Sequence, residues 1–272
     1  MSDRITLEER KARLSSTDGS EHVVDLREFV SAIANQAVQG RAAVPLADNV
    51  RWVVSCGSVQ VYIVELRPEL RCVQWISDES PVAYGPGAVT QPRTLATPYI
   101  ILKIPFRNDE LIQRVELFYR NTPLTALDGP GGELFFPNLL NVSTHAYHCI
   151  SWFCTQYVAS QLTHCTVTDA LDAIVQHLVS GSFNYSSEHA EGQSGFTLYR
   201  ELDIDPRVGH VALWEEASRL DPHWVLSVPW KSANVTVGKL IDDELRHLKA
   251  GGLPATAAAL GNILLRKTRT SA

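Results

Sequence analysis

Four segments of the chain, VRWVVS (residues 50–55), VQVYIVEL (59–66), LRCVQWIS (70–77) and TPYIILKIPF (97–106), are dense in β-branched and aromatic side chains. Side chains of this kind fit a pleated, half-buried surface and lose rotamer freedom in a helix. The segments are bounded by turn signals, CGS after the first and RPE after the second, and these two connections are short enough for hairpins. The pattern predicts a four-stranded antiparallel meander. The third connection, SPVAYGPGAVTQP (80–92), is longer and reads as a loop. Its stretch YGPGAVTQP has glycines but no lysine-serine ending and no strand-to-helix context, so it is not a phosphate cradle.

Helical periodicity flanks this block. VVDLREFVSAIANQAV, from Val23, repeats apolar residues at three- and four-residue steps with Asp25 able to cap it. Residues 1–22 before it are polar and of mixed charge and predict a frayed arm or a loosely attached helix. FRNDELIQRVELFYRN reads as a turn followed by a short helix or strand, and NTPLTALDGPGGELFF as a long proline- and glycine-punctuated connection. HCTVTDALDAIVQHLVSGSFN predicts a helix through Leu171, Ile174, Val175 and Leu178, with Thr168 at its start and Gly181 at its stop. Past the polar stretch at 184–195, GHVALWEEASRL and TVGKLIDDELRHLKAGG predict helices, and WVLSVPW an apolar strand or extended segment. The tryptophans Trp214, Trp224 and Trp230 read as the core of a small C-terminal subdomain docked on the main sheet, and the final AAALGNILLRKTRTSA as a docking helix or tail.

Composition narrows the functional classes. With 272 residues, 45% hydrophobic and 20% charged, the chain can bury a sizeable core. A net charge of −6 provides no basic field for nucleic acid or anionic lipid. No run of about 18 apolar residues occurs, and the charged start lacks the apolar centre of a signal peptide, so a cytoplasmic protein is expected. The five cysteines form an odd set without C-x-x-C spacing, which argues against a disulfide framework and a structural zinc site.

One cysteine stands in unusual company. FFPNLLNVSTHAYHCISW (135–152) gathers Asn138, Asn141, His145, His148 and Cys149 in an otherwise apolar stretch. Read from the residues alone, Cys149 is either a small core hydrophobe or a nucleophile that needs exposure and a modest pKa. Asn141 either braces its own loop or offers an amide N–H to a developing oxyanion. His145, four residues before the thiol, is either a surface histidine or a general base for a cysteine hydrolase, whereas the neighbouring His148 would face away from Cys149 in an extended segment. The spacing of Cys149, His145, His148 and His164 matches no zinc pattern, so no metal is expected.

The order of these features resembles the catalytic core of the ubiquitin-conjugating enzymes. PYIILKIPF followed by YRNTPL looks like that family's last meander strand and tyrosine-proline turn, and Asn141 stands eight residues before Cys149, the family's step from motif asparagine to active-site cysteine. NVSTHAYHCI and ALDAIVQHLVSGSFNYSSE are similar to its cysteine segment and crossing helix. The familiar His-Pro-Asn is replaced by Leu139, Leu140 and Asn141, with Asn138 as the rival asparagine, and the drift resembles divergent bacterial conjugating-enzyme-like proteins, some of antiphage-defence operons.

The resemblance implies an α+β fold: a conjugating-enzyme-like core over residues 23–190 with an N-terminal helix, four-stranded antiparallel meander, active-site loop and crossing helix, then a C-terminal helical extension over 191–272. It implies a carrier that accepts a ubiquitin-like modifier on Cys149 as a thioester from an activating-enzyme-like protein and passes it to an amine of a target protein. Asn141 or Asn138 would steady the oxyanion, and no cofactor would be needed because the activating enzyme uses the ATP. Nucleic acid and membranes are not expected as partners. A binding or assembly protein that keeps the fold without the chemistry is the alternative, and a cysteine hydrolase using His145 is a third.

Overall fold

The computed structural model describes residues 4–8, 11–15, 21–25, 48–77, 79–81, 87–112, 115–145, 150–155, 166–180, 182–183 and 193–250. The chain divides into two compact units, Met1–Val44 with Leu245–Ala272, and Pro45–Glu244. In the first, β1 (Arg4–Glu8), β2 (Lys11–Ser15) and β3 (Glu21–Asp25) form an antiparallel sheet in that order. The helix expected from Val23 is therefore corrected at its start, and the arm expected before it contains two strands. The reason lies in the register: Ile5 opposes Leu14, Leu7 opposes Ala12 and Ala12 opposes Val24. The first two segments alternate apolar residues at two-residue spacing, and pairing brings Val24 of the third into the row of Leu7 and Ala12. Residues 26–38 of the expected helix lie outside the described residues.

The second unit is built on a large antiparallel sheet. Its strands are β4 (Val50–Cys56), β5 (Val59–Leu66), β8 (Tyr99–Arg107), β9 (Glu110–Leu111), β10 (Glu116–Arg120), β11 (Glu133–Phe135), β12 (Val142–His145), β13 (Ile150–Phe153), β15 (Gln193–Ser194) and β16 (Ser232–Thr236). The order is β15–β12–β13–β10–β8–β5–β4, with β11 joining β10 to β16 and β9 pairing β8. A second, three-stranded sheet, β14–β6–β7, consists of β6 (Glu69–Ile76), β7 (Thr90–Thr97) and β14 (Ser182–Phe183). The described residues of this unit include five helices: α1 (Val167–Ser180), α2 (Gly195–Leu202), the single turn α3 (Pro206–Gly209), α4 (Val211–Leu220) and α5 (Val237–Ala250), the last belonging to it as far as Glu244. The class is α+β, a large antiparallel sheet with few helices. Among the described residues no helix is long and apolar enough to cross a membrane.

The expected meander is corrected at its third strand. β4 and β5 form the predicted hairpin across Gly57 and Ser58, where Gly57 takes φ 61°; a glycine there meets the first position of a II′ turn. The next neighbour of β5 is β8 rather than β6, and β8 passes to β10, so four adjacent antiparallel strands run β4–β5–β8–β10. β6 leaves to pair with β7. The difference follows from burial: β5 and β8 are enclosed on both faces, whereas β6 alternates between buried Arg71, Val73 and Trp75 and more open Leu70, Cys72 and Gln74. A strand of continuous apolar character belongs at the centre of a layered sheet, and an alternating strand suits a sheet with one wet face.

β7 falls partly in the segment expected to be a loop. Its sequence TQPRTLAT hides it, since Pro92 suits only an edge. α4 covers that edge with side chains: Glu215 accepts from the Thr94 N–H at 3.0 Å, Ser218 accepts from the Ala96 N–H at 2.8 Å, and Trp214 Nε1 donates to the Ala96 carbonyl at 2.9 Å. The three tryptophans are core, as the sequence suggests, but in the principal core of this unit. Trp214 lies edge-on to Trp75 at 6.0 Å, and Trp230 lies edge-on to Tyr119 at 5.0 Å. WVLSVPW forms a 3-10 turn over Trp224–Ser227 instead of a strand, with Trp230 Nε1 donating back to the Val225 carbonyl at 3.1 Å. The boundary expected between residues 190 and 191 falls inside this unit, where β15 pairs β12 and β16 pairs β11.

Because Trp214 is fully buried and also closes an edge, Trp214→Ala is expected to destabilise this unit by about 3–5 kcal/mol. Urea unfolding should show the lower midpoint, with a clearly smaller loss for Trp214→Phe.

Candidate functional site

The PNLLN segment is a buried junction. Phe136 donates its N–H to the Lys231 carbonyl at 2.9 Å, Tyr199 donates its hydroxyl to the Phe136 carbonyl at 2.8 Å and accepts the Lys231 N–H at 2.8 Å. Burial holds the Tyr199 phenol above its usual range, so it stays a neutral donor. The N-terminus of α2 packs directly on the segment: a β-carbon on Gly195 would overlap the Pro137 carbonyl oxygen, and the Phe196 N–H donates to the Leu139 carbonyl at 3.3 Å. Ser194 caps that helix by accepting the Thr197 N–H at 3.1 Å.

Asn138 is fully buried and donates Nδ2 to the Val208 carbonyl at 2.9 Å, tying this junction to α3. Asn141 is also buried, and its backbone carbonyl accepts the Cys154 N–H at 3.1 Å, at the base of the β12–β13 hairpin. In that hairpin Val142 opposes Phe153, Ser143 opposes Trp152, Thr144 opposes Ser151 and His145 opposes Ile150. Cys149 and His148 lie outside the described residues, as does His164, and of His145 only the backbone is described. The structure thus brings the two asparagines into the interior at one end of the ladder, while Ile150, the residue after Cys149, pairs at the other. Asn141 is four residues from His145, about 13 Å along a strand. The side-chain oxygens of Asn138, Asn141 and Ser143 are buried without a hydrogen-bond partner among the described residues.

α1 supports the exit of the hairpin. Its cap is Thr166, two residues before the expected Thr168: Thr166 Oγ1 accepts the Asp169 N–H at 3.2 Å and Asp169 accepts the Thr166 N–H at 3.3 Å, a reciprocal box. From the far end of the helix, His177 Nε2 donates to the Cys154 carbonyl at 3.1 Å with its ring 5.6 Å from that of Phe153. Burial pulls the imidazole pKa down, only partly offset by that bond.

The sequence reading missed a set of charges inside the sheet. Lys103 of β8 opposes Glu116 of β10, and its ammonium lies 2.5 Å from Glu116 and 2.5 Å from Glu244 of α5, all three being buried. Burial, reinforced by the nearby Glu244, raises the Glu116 carboxyl above the ordinary carboxylate range, while Lys103 and the Ser151 N–H pull it back. On β5, opposite Ile101, Glu65 accepts from Arg51 Nε at 2.8 Å and from the Leu124 N–H at 2.5 Å. Arg120 donates to the carbonyls of Thr122 and Glu133 and thereby pins the connection from β10 to β11. The available signal was a charged residue inside an apolar run: the lysine of YIILKIPF and the glutamate of VELFY. Among the described residues no three His, Cys, Asp or Glu side chains stand together as metal ligands would. No family model, no curated protein and no solved structure matches the chain.

Two outcomes are expected. Lys103→Met leaves two buried carboxylates without their cation and should cost about 3–5 kcal/mol in urea unfolding, more than Glu116→Gln, which leaves the ammonium with Glu244. His177 is more easily protonated in the unfolded chain, so its contribution is full above the unfolded value near 6.5 and is lost as pH falls through that value towards the lower folded one. The stability difference between the wild type and His177→Gln, measured by denaturation from pH 8 to pH 5, should shrink over that window.

Proposed function

We propose that this chain is a carrier of the ubiquitin-conjugating type. Cys149 takes the C-terminal acyl group of a ubiquitin-like modifier from an activating-enzyme-like protein and delivers it to an amine on a target. The observation that supports this most is the order of elements: a four-strand antiparallel run β4–β5–β8–β10, a long tied connection, strands β12 and β13 on either side of Cys149 in sequence, and the capped helix α1 after them. On this reading the core is conjugating-enzyme-like, with the β6–β7 ribbon inserted between its second and third strands. The thiolate of Cys149 attacks the activated carbonyl and expels the donor thiolate; the neutral acceptor amine then attacks the new thioester, the C–S bond breaks to return the Cys149 thiolate, and the amine proton passes to water. On this reading Asn138 serves by tying the PNLLN segment to α3 through its amide, and Asn141 by the backbone carbonyl that accepts the Cys154 N–H at the hairpin base.

A second reading, a binding or assembly protein of the same fold, is favoured by one observation: the Asn138 amide is already engaged by Val208, and Asn141 sits at the hairpin base. The two readings separate on incubation with ATP, an activating-enzyme-like protein and a ubiquitin-like modifier. The carrier should form an adduct that dithiothreitol collapses and that Cys149→Ser converts to a hydroxylamine-sensitive ester or abolishes. An adduct unchanged in Cys149→Ala, or modifier binding with no adduct, overturns it. Asn138→Ala, which removes the amide bond to Val208, should lower stability and slow loading and discharge together, whereas slowing of discharge alone in Asn141→Ala would put that amide on the thioester.

A further inference from the structure

β13 joins β10 by little backbone. Their register contains the single pair Glu116 and Trp152, beside which the Phe153 N–H donates to the Val115 carbonyl at 2.9 Å. On the other side of that pair, side chains replace the ladder. Ser151 Oγ donates to the Leu117 carbonyl at 2.5 Å, and the Ser151 N–H hydrogen-bonds the Glu116 carboxylate. Further along, β10 gives its edge to β11 at Tyr119. Glu116 therefore stands where β13 parts from β10.

The same carboxylate does not act alone. It shares one ammonium, that of Lys103, with Glu244 of α5, and the second oxygen of Glu244 is buried with no hydrogen-bond partner among the described residues. Two carboxylates against one ammonium compete, so the strength of the bond from Glu116 to Lys103 depends on whether Glu244 is present. From β5 the residue opposite Lys103 is Ile63, which adds no charge. The groups that face Glu116 are thus Lys103 from β8, Glu244 from α5 and the Ser151 N–H from β13.

We infer that Glu116 is a positioning residue that couples α5 to β13: Glu244, by drawing on Lys103, sets how Glu116 holds Ser151, and so where the strand that follows Cys149 leaves the sheet. Ser151 comes two residues after Cys149. The consequence for the thiol rests on the carrier reading, whereas the coupling itself does not. Displacement of α5 from Lys103 would leave the ammonium to Glu116 alone, favour its ionised form and tighten its hold on the Ser151 N–H. α5 thereby becomes a regulator of the hairpin.

The experiment follows the Ser151 amide of the 15N-labelled full chain by NMR as pH is varied, with Ser151→Ala used for assignment. The amide shift should titrate with Glu116, above the ordinary carboxylate range, and lose that titration in Glu116→Gln. Glu244→Gln should move the midpoint to lower pH, and Lys103→Met, if it folds, to higher pH. Asp243→Asn, an exposed change on the same helix, should leave it in place. A Ser151 amide that does not titrate, or one whose midpoint is the same in Glu244→Gln as in the wild type, overturns the coupling. The adduct assay keeps the two ideas apart: a shifted midpoint with no thioester on Cys149 removes the carrier reading alone, and a thioester with an unshifted midpoint removes the coupling alone.

Discussion

The edge of β10 that faces away from β8 is five residues long, and two strands share it. β13 takes the end at Glu116 and β11 the end at Tyr119, so the sheet forks there. One branch runs β13–β12–β15 and the other β11–β16. Each branch ends in a short strand whose last residue starts a helix: Ser194 caps α2, and Thr236 accepts the Lys239 N–H at 3.3 Å at the start of α5. The fork also sorts the helices between faces. α2 brings Phe196 to 4.9 Å from Trp75 in the core cluster that contains Leu102, while α5 brings Glu244 to Lys103, the next residue of β8 and hence on its opposite face.

Charges inside such a sheet are costly, and these are placed where an apolar side chain could not do the same work. Glu65 and Arg120 satisfy backbone groups of the connection between β10 and β11, a segment with little regular ladder of its own. Lys103, Glu116 and Glu244 tie a helix to a strand junction. Replacement of such a group by a hydrophobe of similar size can be neutral for stability, but it removes the directionality of the contact. Directionality is what a forked sheet requires, because dispersion alone does not define where one strand should part from another.

Much of the framework was legible. The strands at 50–56, 59–66 and 99–107 declare themselves by composition, and the helices at 167–180, 211–220 and 237–250 by period. Pairing was harder to read, because the short connection at Arg67 and Pro68 fits a hairpin, and the choice of β8 over β6 as partner depends on which faces other elements cover. β7 was hidden by Pro92 and by polar residues whose backbone groups α4 satisfies. Around the candidate site, the sequence showed an asparagine eight residues before a cysteine but not that β12 and β13 pair in register from Val142 and Phe153 to His145 and Ile150, which puts Asn141 and Ile150 at opposite ends of a ladder. α2 escaped notice because its signals, Ser194 and Gly195, close a polar stretch that reads as a linker.

The ribbon of β6 and β7 departs and returns at nearly one point, since Leu66 pairs with Ile100. Central strands of the sheet therefore meet only after 33 intervening residues have been looped out. The entropy of that closure grows only logarithmically with loop length, so the native state tolerates it well. The kinetics are less forgiving: pairings of large sequence separation slow the search, and β5 and β8, both rich in apolar side chains, remain exposed edges until they find each other. Synthesis from the N-terminus delivers β4 and β5 first and their missing neighbour later, so the nascent chain has an interval in which the least soluble part of its future core is waiting for a partner.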